Sequence, residues 1–364
     1  MSKPNVNVKS DSKITSTYCC SWRAPSNIAL IKYWGKWGRQ LPMNPSLSFS
    51  LKHSCIEFDT CIETPADFTT TNPKLKSLLV DGKEIAKFSA RIEKFLASTG
   101  DLLPELAGKE ISIISRASFP HSTGIASSAA SMAALALSLC SFQRTEDDLE
   151  FFRRASLIAR LASGSACRSV YGGAVLWGRC EDDACIDEES SDEYAIPLSS
   201  EKYLAPLFRN MKDAILIVDS TPKKVSSSAG HQMMIDHPYR EARVVLAHEN
   251  LHKILLALKS GDAKVVAEIV EMEALGLHGL MMSSMPSYLL VRPNTIHIIE
   301  RVRELRERES LPIFFTLDAG PNVHLLYPQE LTSKIKAFVA EELLRFCEGG
   351  EWIDDEVGSG PLRL

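Results

Sequence analysis

Residues 125–140 (IASSAASMAALALSLC) present small or apolar side chains on nearly every face of a helix, so the segment is stable only with protein packed all around it. Ser127, Ser128, Ser131 and Ser138 interrupt it, and it is shorter than a membrane span requires. It therefore belongs at the centre of a domain. The 364 residues exceed one ordinary core and suit two domains. With 45% hydrophobic and 24% charged residues the chain has the make-up of a soluble globular protein. A net charge of -5 argues against a nucleic-acid binder, which needs a basic face. The start of the chain has no apolar signal segment and reads as a polar lead-in. Nine cysteines without a CxxC pair fit reduced thiols and a cytoplasmic protein.

Apolar periodicity organises the rest. Residues 15–23 and 46–61 are expected as strands, being rich in β-branched and aromatic side chains. Leu79-Val80-Asp81-Gly82 reads as a strand ending in a tight hairpin turn. A helix over 86–97 follows, with Phe88, Ile92 and Leu96 on one face, then a strand over 111–115. An amphipathic helix over 149–162 and a buried strand over 172–178 complete the first half. The acidic run at 181–193 fits a solvated loop. Helices are expected over 240–258, 263–277, 296–307 and 331–346, with strands over 214–218, 312–317 and 323–327. A boundary near 199–204 divides a lead-in over 1–14 and a domain over 15–200 from a domain over 201–364.

Residues 120–130 (PHSTGIASSAA) join the strand at 111–115 to the buried helix. Gly124 permits a turn, and the helix start aims backbone N–H groups at whatever precedes it, which suits phosphates. Ser122, Thr123, Ser127 and Ser128 add hydroxyls. The same residues also read as a Ser-rich turn capping a core helix. The spacing is neither that of a Walker A loop nor that of a GxGxxG loop. Three further polar segments stand far apart: 27–36 (NIALIKYWGK), 163–169 (SGSACRS) and 316–322 (TLDAGPN). They offer the cations Lys32 and Arg168, the carboxylate Asp318 and several hydroxyls, a set suited to phosphoryl transfer onto an anionic substrate.

PHSTGIASSAA is similar to the phosphate loop of the GHMP kinase superfamily, Pro-x-x-x-Gly-Leu-x-Ser-Ser-Ala, with fewer glycines and Ile125 in place of Leu. The other three segments, with Tyr171-Gly172-Gly173 after the second, resemble the mevalonate diphosphate decarboxylase family in order and separation. In kinase relatives an acidic residue typically stands where Arg168 does, so a cation here suggests a substrate that carries a carboxylate. The resemblance implies an α+β, two-domain GHMP-kinase-like fold: a ribosomal-protein-S5-like first domain, a ferredoxin-like second one and a site in the cleft. It implies ATP with Mg2+ and conversion of mevalonate 5-diphosphate to isopentenyl diphosphate, CO2, ADP and phosphate. It also implies a cytoplasmic enzyme, often a homodimer. Pro45 in NPSLS and His121-Ser122 depart from the family pattern.

Carried over by motif, Asp318 is the base or orienting carboxylate, Arg168 pairs with the substrate carboxylate and Lys32 stabilises the transferring phosphoryl group. Asn27 holds Lys32 and Asp318. Tyr33, Trp34, Gly35, Lys36, Arg91, Ser163, Gly164, Ser165, Ala166, Cys167, Ser227 and Ser228 bind substrate. Ser118, Pro120, Ser122, Thr123, Gly124, Ile125, Ala126, Ser127 and Ser128 bind ATP, with Ser127 a candidate magnesium ligand.

Each has a plainer rival. Asp318 also fits an Asx turn, Lys32 a snorkelling edge residue, and Arg168 a helix C-cap. A kinase without decarboxylation, a decarboxylase of a mevalonate monophosphate or bisphosphate, and a non-catalytic binding protein stay open. So does the zinc-protease pattern HExxH, matched by His248, Glu249 and His252 (HENLH), with Glu271 or Glu273 as third ligand. Lys253, directly after the second histidine, argues against it.

Overall fold

The computed structural model describes residues 14–66, 71–119, 127–180, 186, 189–221 and 225–364. Two long strands, β1 (Ile14–Ile31) and β2 (Ser46–Pro65), pair antiparallel at the centre of a seven-stranded sheet. Strand β3 (Lys74–Val80) runs parallel to β4 (Glu110–Ala117), connected through helix α1 (Ala86–Ala97). The strand ends in the tight turn expected at Asp81-Gly82. Val80 and Lys83 exchange both backbone hydrogen bonds around Asp81 and Gly82, whose positive φ angles of 47° and 78° make the tight turn. No long second strand follows, because the pattern changes there from period two to the helical spacing of Phe88, Ile92 and Leu96.

Helix α2 (Ser127–Cys140) lies against β1, β2 and helix α3 (Asp148–Ala162), and every residue from Ala129 to Cys140 is buried. Each fully buried leucine there contributes about 1.5–3 kcal/mol relative to exposure. Asp147 caps α3 by accepting from the Glu150 N–H. The chain then makes a tight helical turn, Gly164–Val170, and enters strands β5 (Ala174–Trp177) and β6 (Ala195–Leu198).

A four-stranded antiparallel sheet forms the second layer, from β7 (Met211–Leu216), β8 (Phe314–Leu317), β9 (Val323–Pro328) and β10 (Trp352–Glu356). Strand β10 has no counterpart in the sequence reading; its acidic, weakly alternating WIDDE carries little strand signal. Helices α4 (Ser227–Met233), α5 (Arg240–Ser260), α6 (Ala263–Met282) and α7 (Pro293–Glu309) accompany this sheet. The closing helix starts as α8 (Thr332–Phe338) and widens into a π turn over Val339–Leu343. The last strand, β11 (Leu362–Arg363), returns to pair with β1. The first layer's apolar core continues without a break into Ile254, Leu258 and Val266 of the second.

The expectation of reduced thiols is corrected at one place. Cys19 and Cys61 stand directly opposite each other on β1 and β2, with Cα atoms 4.2 Å apart, and form a disulfide. That pairing depends on strand register, which residue spacing does not reveal. Among the described residues, no helix is long and apolar enough to cross a membrane.

Candidate active site

A cavity of about 290 Å3 opens where the end of β1, the Gly164–Val170 turn, the first turn of α4 and the Asp318 loop converge. Lys32 follows the apolar run that ends β1 and is only 2% exposed. Its Nζ donates to Ala29 O at 2.7 Å and to Asp318 Oδ1 at 3.1 Å. Burial pushes the ammonium's pKa down; the Asp318 and Glu273 carboxylates oppose that shift, and Arg168 adds to it. Asp318 keeps a quarter of its side chain open to the cavity.

Arg168 is also 2% exposed. Its guanidinium donates to Ser48 Oγ at 3.0 Å, Ser46 Oγ at 2.6 Å and Asn27 Oδ1 at 3.2 Å, beside the Trp177 ring. Among the described residues these partners are all neutral. Burial lowers its pKa, yet a guanidinium starts so high that it stays charged. A buried cation that faces a cavity with no carboxylate bonded to it among the described residues, and only the field of Asp318 to offset it, is a receptor for an anion. Asn27 donates to Ser169 Oγ at 2.7 Å and to Ser165 O at 3.3 Å, so it steadies Arg168 and its loop. The expectation that Asn27 holds Lys32 and Asp318 is corrected accordingly.

The other expected residues take different places. Tyr33, Trp34, Lys36, Arg91, Ser128, Ser163, Gly164, Ser165, Ser227 and Ser228 line the cavity with Lys32, Arg168 and Asp318. A Cβ on Gly164 would lie 2.5 Å from the Tyr33 hydroxyl, which explains the glycine. Gly35, Ala166 and Cys167 stand behind the wall. Burial pushes the Cys167 thiol up to about 12, so it is inert. Ser127 is half-buried on the first turn of α2, whereas Ser118 turns its hydroxyl back to His53 O and Cys55 N. Pro120, Ser122, Thr123, Gly124, Ile125 and Ala126 lie outside the described residues, as do 181–185 and 187–188 of the acidic run.

Sequence reasoning missed Ser46, Ser48 and His231. The two serines alternate with Leu47 and Phe49, and that period-two polar row inside an apolar strand was the available signal. His231 lies one helical turn beyond Ser227 and Ser228. Its Nδ1 accepts from Gly35 N–H at 2.9 Å, and its ring packs 4.2 Å from Tyr33 and 4.5 Å from Trp34. Burial, Lys36 and Arg168 push its pKa down from 6.5 to about 3. The neutral ring's stabilisation is therefore complete above pH 6.5 and is lost as pH falls toward 3. Between pH 6 and 4 the loss should approach about 1.4 kcal/mol per pH unit. His231→Asn keeps an acceptor for Gly35 and should flatten this part of the acid dependence of the urea midpoint. An equal slope in variant and wild type would refute the assignment.

The HExxH segment lies on α5, away from this cavity. Glu249 is exposed and pairs with Lys253 at 3.6 Å. Glu271 receives Arg303 and Arg306, and Glu273 receives Arg243 and Asn250, so both imagined third ligands are committed. Among the described residues no cluster of three His, Cys, Asp or Glu could hold a metal.

Fold and site together define a two-domain α+β protein of the GHMP kinase type, built for phosphoryl transfer to a small anionic substrate. Residues 24–191 match the diphosphomevalonate decarboxylase-like N-terminal domain, and residues 214–354 match the mevalonate 5-diphosphate decarboxylase C-terminal domain. The chain belongs to the diphosphomevalonate decarboxylase family. It is 31% identical to the diphosphomevalonate decarboxylase of Debaryomyces hansenii, over 88% of this chain and 82% of that protein. The crystal structure of mevalonate diphosphate decarboxylase from Staphylococcus aureus is 26% identical, with a TM-score of 0.77, covering 96% of this chain and 98% of that one. A structure of MDDEF in complex with MVAPP, AMPPCP and magnesium is 25% identical, also with a TM-score of 0.77, covering 96% and 99%.

Proposed function

We propose that this chain uses ATP to convert mevalonate 5-diphosphate into isopentenyl diphosphate, CO2, ADP and phosphate. One observation carries the assignment of roles: Arg168, a buried guanidinium with only neutral partners among the described residues, lines the same cavity as the Lys32–Asp318 pair. A kinase acting on a plain alcohol has no use for such a cation beside its carboxylate.

The chemistry explains the set. A 3-hydroxy acid has no electron sink next to its carboxylate, so direct loss of CO2 would leave an unstabilised carbanion. Asp318 orients the tertiary 3-hydroxyl and takes its proton as that oxygen attacks the γ-phosphoryl group. Lys32 stabilises the charge that gathers between them. The C3–O bond then breaks, phosphate leaves with the bonding pair, and positive charge develops at C3. The C1–C2 bond pair becomes the C2=C3 double bond, and CO2 departs. Arg168 holds the carboxylate in line for that step. Lys36 and Arg91, with Ser163, Ser165, Ser227 and Ser228, hold the diphosphate.

ATP belongs against the start of α2, where Ser127 and Ser128 supply hydroxyls. Magnesium prefers oxygen ligands and usually relies on substrate phosphates, so the half-buried Ser127 fits as a minor protein ligand. The ion neutralises phosphate charge when bound. A cytoplasmic location and a homodimer belong to the same proposal, tested by cell fractionation and light scattering.

Incubating the protein with ATP, magnesium and mevalonate bearing one or two 5-phosphates tests the function. Mass spectrometry should find isopentenyl diphosphate, with CO2 and ADP formed in equal amounts. ADP without CO2 would instead indicate a kinase. Isopentenyl monophosphate as the favoured product would move the substrate to the monophosphate.

A further inference from the structure

Helix α6 reaches both members of the Lys32–Asp318 pair through their main chains. Glu273 Oε2 accepts from the Lys32 backbone N–H at 2.8 Å. Both oxygens of Glu273 receive Arg243 at 2.7 Å, and Arg243 also donates to the Lys32 backbone carbonyl at 2.7 Å. Asn250 donates to Glu273 Oε1 and Asn44 to the Lys32 carbonyl. Both backbone polar groups of Lys32 therefore end in one buried Glu–Arg unit. Five residues further along α6, the buried His278 has its Nε2 3.1 Å from the Asp318 carbonyl oxygen. A carbonyl only accepts, so Nε2 carries the hydrogen.

Lys32 and Asp318 are 286 residues apart in sequence and directly follow strands of two different sheets. Their 3.1 Å contact thus depends on how those sheets are held. The two grips on α6 are about 7.5 Å apart along one rigid helix. Simple packing does not call for a buried ion pair, since apolar residues of similar size do that at lower desolvation cost.

We propose that α6 sets the spacing and facing of Lys32 and Asp318, with Glu273 and His278 as positioning residues for the transfer step. The inference rests on the roles given above to Lys32 and Asp318. Glu273 has a second effect through its charge. The groups that act on the Lys32 ammonium are Asp318 and Glu273 on the negative side and Arg168 on the positive side. Arg243 lies at the Lys32 carbonyl, and His324, paired with Asp213, lies beyond.

The test uses the full-length protein, with CO2 release followed against pH and substrate concentration. His278→Phe should lower kcat roughly 100-fold, the scale of a misplacement of about 1 Å, with little change in either KM. His278→Gln, whose amide N–H stands near the Nε2 position, should recover most of that loss. Glu273→Gln should lower kcat and move the alkaline limb of its pH profile to lower pH, because Lys32 then loses its proton more readily. Wild-type kcat in His278→Phe, or a limb unmoved in a folded Glu273→Gln, would overturn the proposal. So would a loss in His278→Phe that matches loss of folded protein and is not rescued by Gln. Asp318→Asn separates the two levels. If it stays active, the role of the pair itself fails; if it is inactive while His278→Phe is normal, only the α6 inference falls.

Discussion

Asp318→Asn should lower turnover by about 10²–10⁴-fold, the range for removing a positioned general base. The carboxylate sits in the loop between β8 and β9, open to the cavity and 3.1 Å from Lys32 Nζ. Asparagine fills the same space and still accepts from Lys32, so the geometry persists while the charge and basicity go. Without that charge the buried ammonium loses the group that most opposes the effect of burial on its pKa. Lys32 then gives up its proton at lower pH instead of remaining a buried unpaired cation, which limits the stability loss. Calorimetry should therefore show a thermal midpoint little changed, and a CO2-release assay should show nearly all the turnover lost. Turnover within a few-fold of wild type would remove Asp318 from the chemistry.

Arg168→Met should lower decarboxylation by about 10²–10³-fold, comparable to deleting one preorganised donor at a developing charge. Its side chain is buried beside Trp177 and held by Ser46, Ser48 and Asn27. Two stability effects then oppose each other. Methionine removes a buried charge that no carboxylate bonds among the described residues, which stabilises, and leaves three polar side chains short of a partner, which costs stability. The thermal midpoint should move far less than the activity does. Arg168→Lys should not rescue, because an ammonium cannot reproduce the planar fork that meets three oxygens at once. Isotope-labelled substrate would show whether CO2 release suffers more than ADP release, as an anchor for the carboxylate requires. Full decarboxylation by Arg168→Met would end the assignment.

Much of the architecture was legible from side-chain periodicity. Helix α1 begins and ends where the spacing of Phe88, Ile92 and Leu96 places it, and the all-round apolar segment is the buried helix α2. Strand β1 runs eight residues past the expected end at Arg23, because Ala24–Ile31 is buried on both faces and loses its alternation. The polar residues that line the cavity were largely legible as well, because catalytic groups interrupt apolar runs where a core would not tolerate them. Their partners were not. Ser46 and Ser48 are ordinary residues on a strand, and only the approach of Arg168 makes them matter.

By itself the sequence determined the chemical inventory, two cations and a carboxylate within three distant polar segments, and the local elements that carry them. These follow from residue type and from spacings of a few positions, which covalent geometry converts directly into faces and turns. Only the tertiary structure decided the long-range pairings: the Cys19–Cys61 bridge, the attachment of Asn27 to Arg168, and the grip of Glu273 and His278 on residues 241 and 40 positions away. Those depend on strand register and on how one layer seats against another. Both are set by the sum of many weak contacts across the chain, and no single segment records that sum.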